Sequence, residues 1–120
     1  MSADAAAAFA TLTERLERVS AGYAQRFAIR RDDDWYVIKL GEELGELTQA
    51  WLKMTGRGRR VGIEPSGLKG QLGEETADLL CQLLLFARRF DIDLMASVKR
   101  KWLIFDPVGD SVPRRQTRVE

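Results

Sequence analysis

Glu42-Glu43-Leu44-Gly45-Glu46 and Glu74-Glu75-Thr76-Ala77-Asp78 set acidic residues in pairs inside two stretches that otherwise read as core-facing amphipathic helices. A carboxylate on an apolar face carries a desolvation penalty, so it protonates, pairs with a cation or ligates a metal. The chain contains no histidine. Oxygen-only ligation with room for water and phosphate is the preference of Mg²⁺ or Mn²⁺, and convergent acids on facing helices would therefore suit a hard divalent cation. A carboxylate-bridged di-iron bundle also draws acids from facing helices, but its Glu-x-x-His motif needs the histidine that is missing here.

Helical phase decides whether the acids can meet. At about 100 degrees per residue, Glu43 and Glu46 lie on adjacent ridges at the edge of the stripe formed by Leu40, Leu44, Leu47 and Trp51. The same geometry sets Glu75 within the angular range of Leu68, Leu72, Leu79 and Phe86, with Asp78 one ridge to the side. Antiparallel pairing of the two helices would bring Glu43, Glu46, Glu75 and Asp78 together. The competing reading is a set of solvent-facing charges paired with Lys39, Lys53 or Lys69. The doubled spacing and the inward phase of Glu75 favour convergence for those four, while Glu42 and Glu74 point further outward.

The elements that must position these residues follow from the same periodicity. Phe9, Leu12, Leu16, Val19 and Tyr23 recur at three- and four-residue steps, which predicts a first helix from Asp4 to about Ala24 or Ala28. Asp32-Asp33-Asp34 reads as an N-terminal cap, so a second helix starts near Trp35 and stops at Thr55-Gly56. Residues 56 to 70 read as a loop with a basic half, Arg57-Gly58-Arg59-Arg60, and a turn at Pro65-Ser66-Gly67. A third helix is expected from Ser66 or Leu68 to Phe90, with Gly70 and Gly73 loosening its first turns. Asp91 or Asp93 caps a fourth, whose inward face is Leu94, Val98, Trp102 and Phe105, and Pro107 ends it. With no alternating strand pattern, the expected fold is all-α, a four-helix bundle over residues 1 to 106. Residues 107 to 120 form a polar, flexible tail or a strap onto a neighbouring subunit.

Composition narrows the context. A chain of 120 residues is the size of one domain, and a net charge of +1 favours no particular kind of partner. A helical domain this short leaves much surface uncovered, which makes oligomerisation an economical arrangement. The single cysteine, Cys81, rules out an intramolecular disulfide, suits a reducing compartment and reads as a packed core thiol. No run approaches the roughly 18 apolar residues of a membrane span. The Ala5 to Ala8 stretch is too short for a secretory signal, so the expected location is the cytoplasm.

The run from Lys39 through Glu42, Glu43 and Glu46 to Leu47, followed by Glu74-Glu75-Thr76-Ala77-Asp78-Leu79-Leu80, resembles the E-E-x-x-E and E-x-x-D signature of the MazG-like, all-α nucleoside triphosphate pyrophosphohydrolases. The resemblance covers roughly Trp35 to Phe105. It implies Mg²⁺, with Mn²⁺ as a substitute, held by Glu43, Glu46, Glu75 and Asp78. It also implies cleavage between the α and β phosphates of a nucleotide and assembly as a homodimer or homotetramer. Glu42 is the candidate to orient or deprotonate the attacking water. Candidate substrate contacts are Lys39, Trp35 for base stacking, Arg57 and Arg59 for phosphate, Lys99 for a phosphate oxygen, and Lys101 of the basic-aromatic pair Lys101-Trp102. The loop arginines could equally be solvated, and nucleic-acid binding by so short a cluster is disfavoured.

Two departures from that family pattern stand out. Many members carry an asparagine on the fourth helix, where this chain reads Val98-Lys99-Arg100-Lys101-Trp102. The related phosphoribosyl-ATP pyrophosphohydrolases follow the second motif with a tyrosine-histidine pair, where this chain has Cys81-Gln82, so that substrate ranks below a nucleoside triphosphate. The rival from another class is a catalytically silent relative, a helical nucleotide-binding or interaction protein that keeps the bundle. Retention of all four acids favours the enzyme.

Overall fold

A computed structural model describes residues 2–58 and 64–109. It contains helices α1 (Ala3–Arg26), α2 (Asp33–Met54), α3 (Pro65–Arg89) and α4 (Leu94–Lys101), followed by a 3₁₀ turn at Leu103–Phe105. There is no strand among the described residues, and no described helix is long and apolar enough to cross a membrane. Arg59, Arg60 and the segment 110–120 lie outside the described residues.

Local chemistry sets the helix starts. The Trp35 N–H donates to Asp32 Oδ1 at 2.8 Å, so Asp32 alone is the cap, and Asp33 and Asp34 fall in the first turn of α2, where they complement its dipole. Asp93, rather than Asp91, caps α4 by accepting from the Ala96 N–H at 3.0 Å. Helix α3 begins at Pro65, earlier than the sequence suggests, because proline is well placed in a first turn that has no use for its missing N–H. Gly70 and Gly73 stay within the helix.

The main pairing is α2 against α3, with α1 laid on α3. Near the start of α2, Asp33 meets Arg89 at the end of α3 at 2.6 Å, and further along α2 Glu43 and Glu46 face Glu75 and Asp78, so the two helices run antiparallel. The buried apolar side chains are Tyr36 and Ala50 on α2, Leu68, Leu84, Leu85 and Ala87 on α3, and Ala24 near the end of α1. Leu84 and Ala87 share a hollow with Phe9 and Thr13 of α1. The Tyr36 and Phe90 rings meet edge to face at 6.2 Å. Arg88 on α3 reaches Glu14 on α1 at 2.9 Å. In the connection between α1 and α2, Arg31 grips both carboxylate oxygens of Glu17 at 2.7 and 2.9 Å.

Several residues expected to face inward do not. Leu44 is 53% exposed, Trp51 46% and Trp102 70%, and Val19, Tyr23, Leu83 and Phe105 are exposed too. One helix-to-helix seam with a third helix on one side covers only part of each apolar stripe. The eight-residue α4 makes its contacts mainly with the 3₁₀ turn that follows it.

Candidate metal centre

Residues three apart on a helix lie on neighbouring ridges, so Glu43 with Glu46 on α2, and Glu75 with Asp78 on α3, each present two carboxylates to the same side. The antiparallel seam brings these four together: one oxygen from each lies within 4.8 Å of the others. Glu43 is buried and Glu75 half-buried, while Glu46 and Asp78 are exposed, giving the cluster a closed floor and an open mouth.

The floor is short of partners. Glu43 Oε2 and Glu75 Oε2 are buried without a hydrogen bond. The only ion pair to any of the four among the described residues is Lys39 Nζ to Glu43 Oε1 at 3.7 Å, and Lys39 is shared with Glu42 Oε1 at 3.1 Å. Burial pushes the Glu43 carboxyl above its ordinary pKa and the neighbouring Glu46 charge adds to the rise, with Lys39 opposing. Burial also raises Glu75, followed by its carboxyl contact with Glu46 and then by the charge of Glu46. Burial alone would lower the Lys39 ammonium. Its hydrogen bond to Glu42 and the charges of Glu42, Glu43 and Glu46 prevail and raise it.

Four carboxylates with one shared lysine make an oxygen-rich concavity that a hard divalent cation satisfies better than protons do. The buried oxygens without partners are the positions at which such an ion would offset the desolvation already incurred. The donor set fits a cation of this class and leaves its identity open.

Beside the cluster, Lys39 and Asp78 also form part of the wall of a cavity of about 320 Å³ lined in addition by Trp35, Tyr23, Cys81 and Gln82. Of these two residues named from the sequence, Trp35 lines the cavity that Asp78 also borders, and Lys39 reaches the acids through Glu43 at 3.7 Å. Glu42 stands next to them, half-exposed and held by Lys39 rather than inside the group of four. Arg57 sits beyond the C-terminal end of α2 with its Nε donating to Thr55 Oγ1 at 3.2 Å. Glu46 is eight residues before the end of α2 at Met54, which is roughly 12 Å along a helix, so Arg57 is not brought to the acids. Lys99 borders a hollow between α1 and α4 with Ser2, Ala6 and Asp93, and Lys101 is exposed on α4, so neither joins the cluster. Arg59 lies outside the described residues.

Sequence reasoning missed Gln82, whose Oε1 is buried without a partner, and it took Cys81 for core although the thiol is half-buried on the cavity wall. Burial, followed by the charge of Asp78, raises the Cys81 pKa, which argues against a nucleophile. A usable signal for Gln82 existed in its position one helical turn after Asp78. No protein-family model, curated protein or solved structure gives a significant match to the chain.

Proposed function

We propose that the protein is a Mg²⁺-dependent nucleotide pyrophosphohydrolase of the MazG-like type, splitting a nucleoside triphosphate into the monophosphate and pyrophosphate. The observation that carries this reading is the convergence of Glu43, Glu46, Glu75 and Asp78 from two facing helices around buried carboxylate oxygens that have no partner. Those four side chains would hold the ion. Bound there, Mg²⁺ supplies neutralisation of the phosphate charge and lowers the pKa of the attacking water, with Mn²⁺ able to substitute.

The remaining work falls to the chain's own groups. Glu42, fixed by the Lys39 ammonium at 3.1 Å, orients a water and accepts its proton as the new P–O bond forms and the anhydride P–O bond breaks. Lys39 balances the charge of Glu42 and Glu43 and keeps both carboxylates aimed along one side of α2. The half-buried Trp35 offers a stacking face in the cavity that Asp78 borders. The reading includes a four-helix bundle completed in a homodimer or homotetramer, which would cover Val37, Leu44 and Trp51, all exposed on α2.

Pyrophosphate release from a panel of ribo- and deoxyribonucleoside triphosphates, with and without Mg²⁺, tests the proposal. Release should require the metal and fall by at least about a hundredfold in Glu75→Gln. Glu42→Gln should lower turnover while leaving metal binding intact. Folded protein that turns over no nucleotide with either Mg²⁺ or Mn²⁺ overturns the reading.

A further inference from the structure

The cavity beside the acid cluster shares one carboxylate with it, Asp78, and is otherwise lined by other residues; Lys39 and Asp78 make the two continuous in space. A ligand whose charged end rests at the acids therefore has its other end at this cavity. The cavity makes two chemical demands on that end. Trp35, Tyr23 and the buried Leu85 present aromatic and apolar walls, which suits a flat group with unsaturated faces. Gln82, another wall residue, contributes an amide whose Oε1 accepts no hydrogen bond within the protein, so a group with an N–H donor on its edge would satisfy it. A lipid tail meets the first demand alone, and a bare sugar meets the second with too many hydroxyls for the apolar walls. A nucleobase meets both.

We infer that the cavity is the base-binding subsite and that Gln82 is its specificity-determining residue, selecting nucleotides whose base presents an N–H donor to Oε1. The side-chain amide adds an N–H donor in the same plane, so a base offering a donor beside an acceptor engages it through both groups. This inference rests on the nucleotide reading above and adds the part of the substrate that the metal centre does not sense.

The test uses the full chain with Mg²⁺ and two probes. The first is inorganic tripolyphosphate, which carries the charged end alone. The second is a set of α,β-methylene analogues of the four common nucleoside triphosphates, in which the bond to be cleaved is blocked. Calorimetry should show a spread of at least about tenfold among the analogues, one well-made hydrogen bond being sufficient for that. Gln82→Leu should compress the spread to about threefold or less while leaving tripolyphosphate affinity unchanged. Replacing an amide whose oxygen lacks a partner with an apolar group of similar size leaves the fold intact or firmer, and a thermal melt checks this.

Cys81, the sole cysteine and a wall residue of the cavity, reports location independently. Its alkylation should be slowed by the best analogue and not by tripolyphosphate. Analogues that bind without protecting Cys81, or that keep their spread in Gln82→Leu, overturn the inference while the pyrophosphohydrolase reading stands. Tripolyphosphate binding with no analogue binding more tightly than it does the same. Failure of both probes to bind removes both readings together.

Discussion

At the residue scale, Glu43 carries a cost in the free protein that the proposed cation would relieve. Its carboxylate is buried, lacks a partner on Oε2 and sits against Glu46, with a single lysine at 3.7 Å in opposition. A carboxyl whose folded pKa is raised contributes stability only while it is protonated, and it loses that contribution as pH climbs through the folded value. At neutral pH the ionised cluster therefore opposes folding, and the proposed cation would relieve it. Mg²⁺ at about a hundred times its dissociation constant should stabilise the fold by about 2.7 kcal/mol, a rise of roughly 10 °C in Tm for a domain of this size. Glu43→Gln should melt a few degrees higher than the parent without metal and gain nothing from Mg²⁺. Thermal melts of both proteins with and without the ion decide it, and an unchanged parent Tm at saturating Mg²⁺ and Mn²⁺ would count against the centre. These four acids were legible in the sequence because spacing on a regular helix fixes direction. For Gln82 only the position one turn after Asp78 was legible; that its Oε1 is buried without a partner was not, since a single polar residue in an apolar run gives no hint of whether its amide is satisfied.

At the element scale, the helix starts could be read and the stops only partly. Asp32 and Asp93 cap as short acids do, but α1 halts on Ala28, which adopts φ 53° with no glycine to mark the place. The stop is held by backbone bonds instead, the Phe27 N–H donating to the Tyr23 carbonyl at 3.0 Å and the Ile29 N–H to the Ala24 carbonyl at 2.8 Å. The left-handed conformation costs an L-residue roughly 1 kcal/mol that glycine does not bear. Ala28→Gly should accordingly stabilise the protein by about 0.5–1 kcal/mol in urea unfolding, against the usual direction of a glycine substitution. The connection from α1 to α2 depends on Arg31, which binds Glu17 and lies over the Tyr36 ring at 5.8 Å. The Arg31 hydrogen bond holds the Glu17 carboxyl below its ordinary pKa despite partial burial. For a depressed carboxylate the stability is present above the unfolded pKa of about 4.3 and disappears as pH falls through the lower folded value. Glu17→Gln should therefore cost about 1–2 kcal/mol at pH 7, a charge-assisted pair reduced for its partial exposure. The difference should shrink as pH falls below the unfolded value and through the lower folded one, as unfolding curves at several pH values will show. A pH-independent deficit would mean that Glu17 acts by packing alone.

At the scale of the whole molecule, the sequence announced the apolar stripes without saying what covers them. Periodicity registers that Val37, Leu44 and Trp51 recur at seven-residue steps, and it cannot distinguish a neighbouring helix of the same chain from one of another copy. In the single chain the three remain exposed on α2, joined by Ile38 and by Leu80 and Leu83 on α3. Between them Gly41 and Gly45 lie where an added Cβ would meet nothing within 4 Å, so the monomer itself gives no packing reason for glycine there. Each glycine weakens the helix by roughly 1 kcal/mol relative to alanine, a cost offset if a second backbone approaches closely. Exposed apolar side chains of this number are what the proposed oligomer would cover. The chain should sediment as a dimer or tetramer of its 13.6 kDa protomer. Trp51→Glu, placed more than a helical turn beyond the acids, should shift it to the monomer while helicity is retained. Gly45→Ala separates the two origins of the effect. It should stabilise a monomer by about 1 kcal/mol through helix propensity and yet weaken association if a partner helix rests on that surface. A protein that sediments at the protomer mass at every concentration tested would place the cover for this stripe elsewhere and remove the oligomer from the proposal.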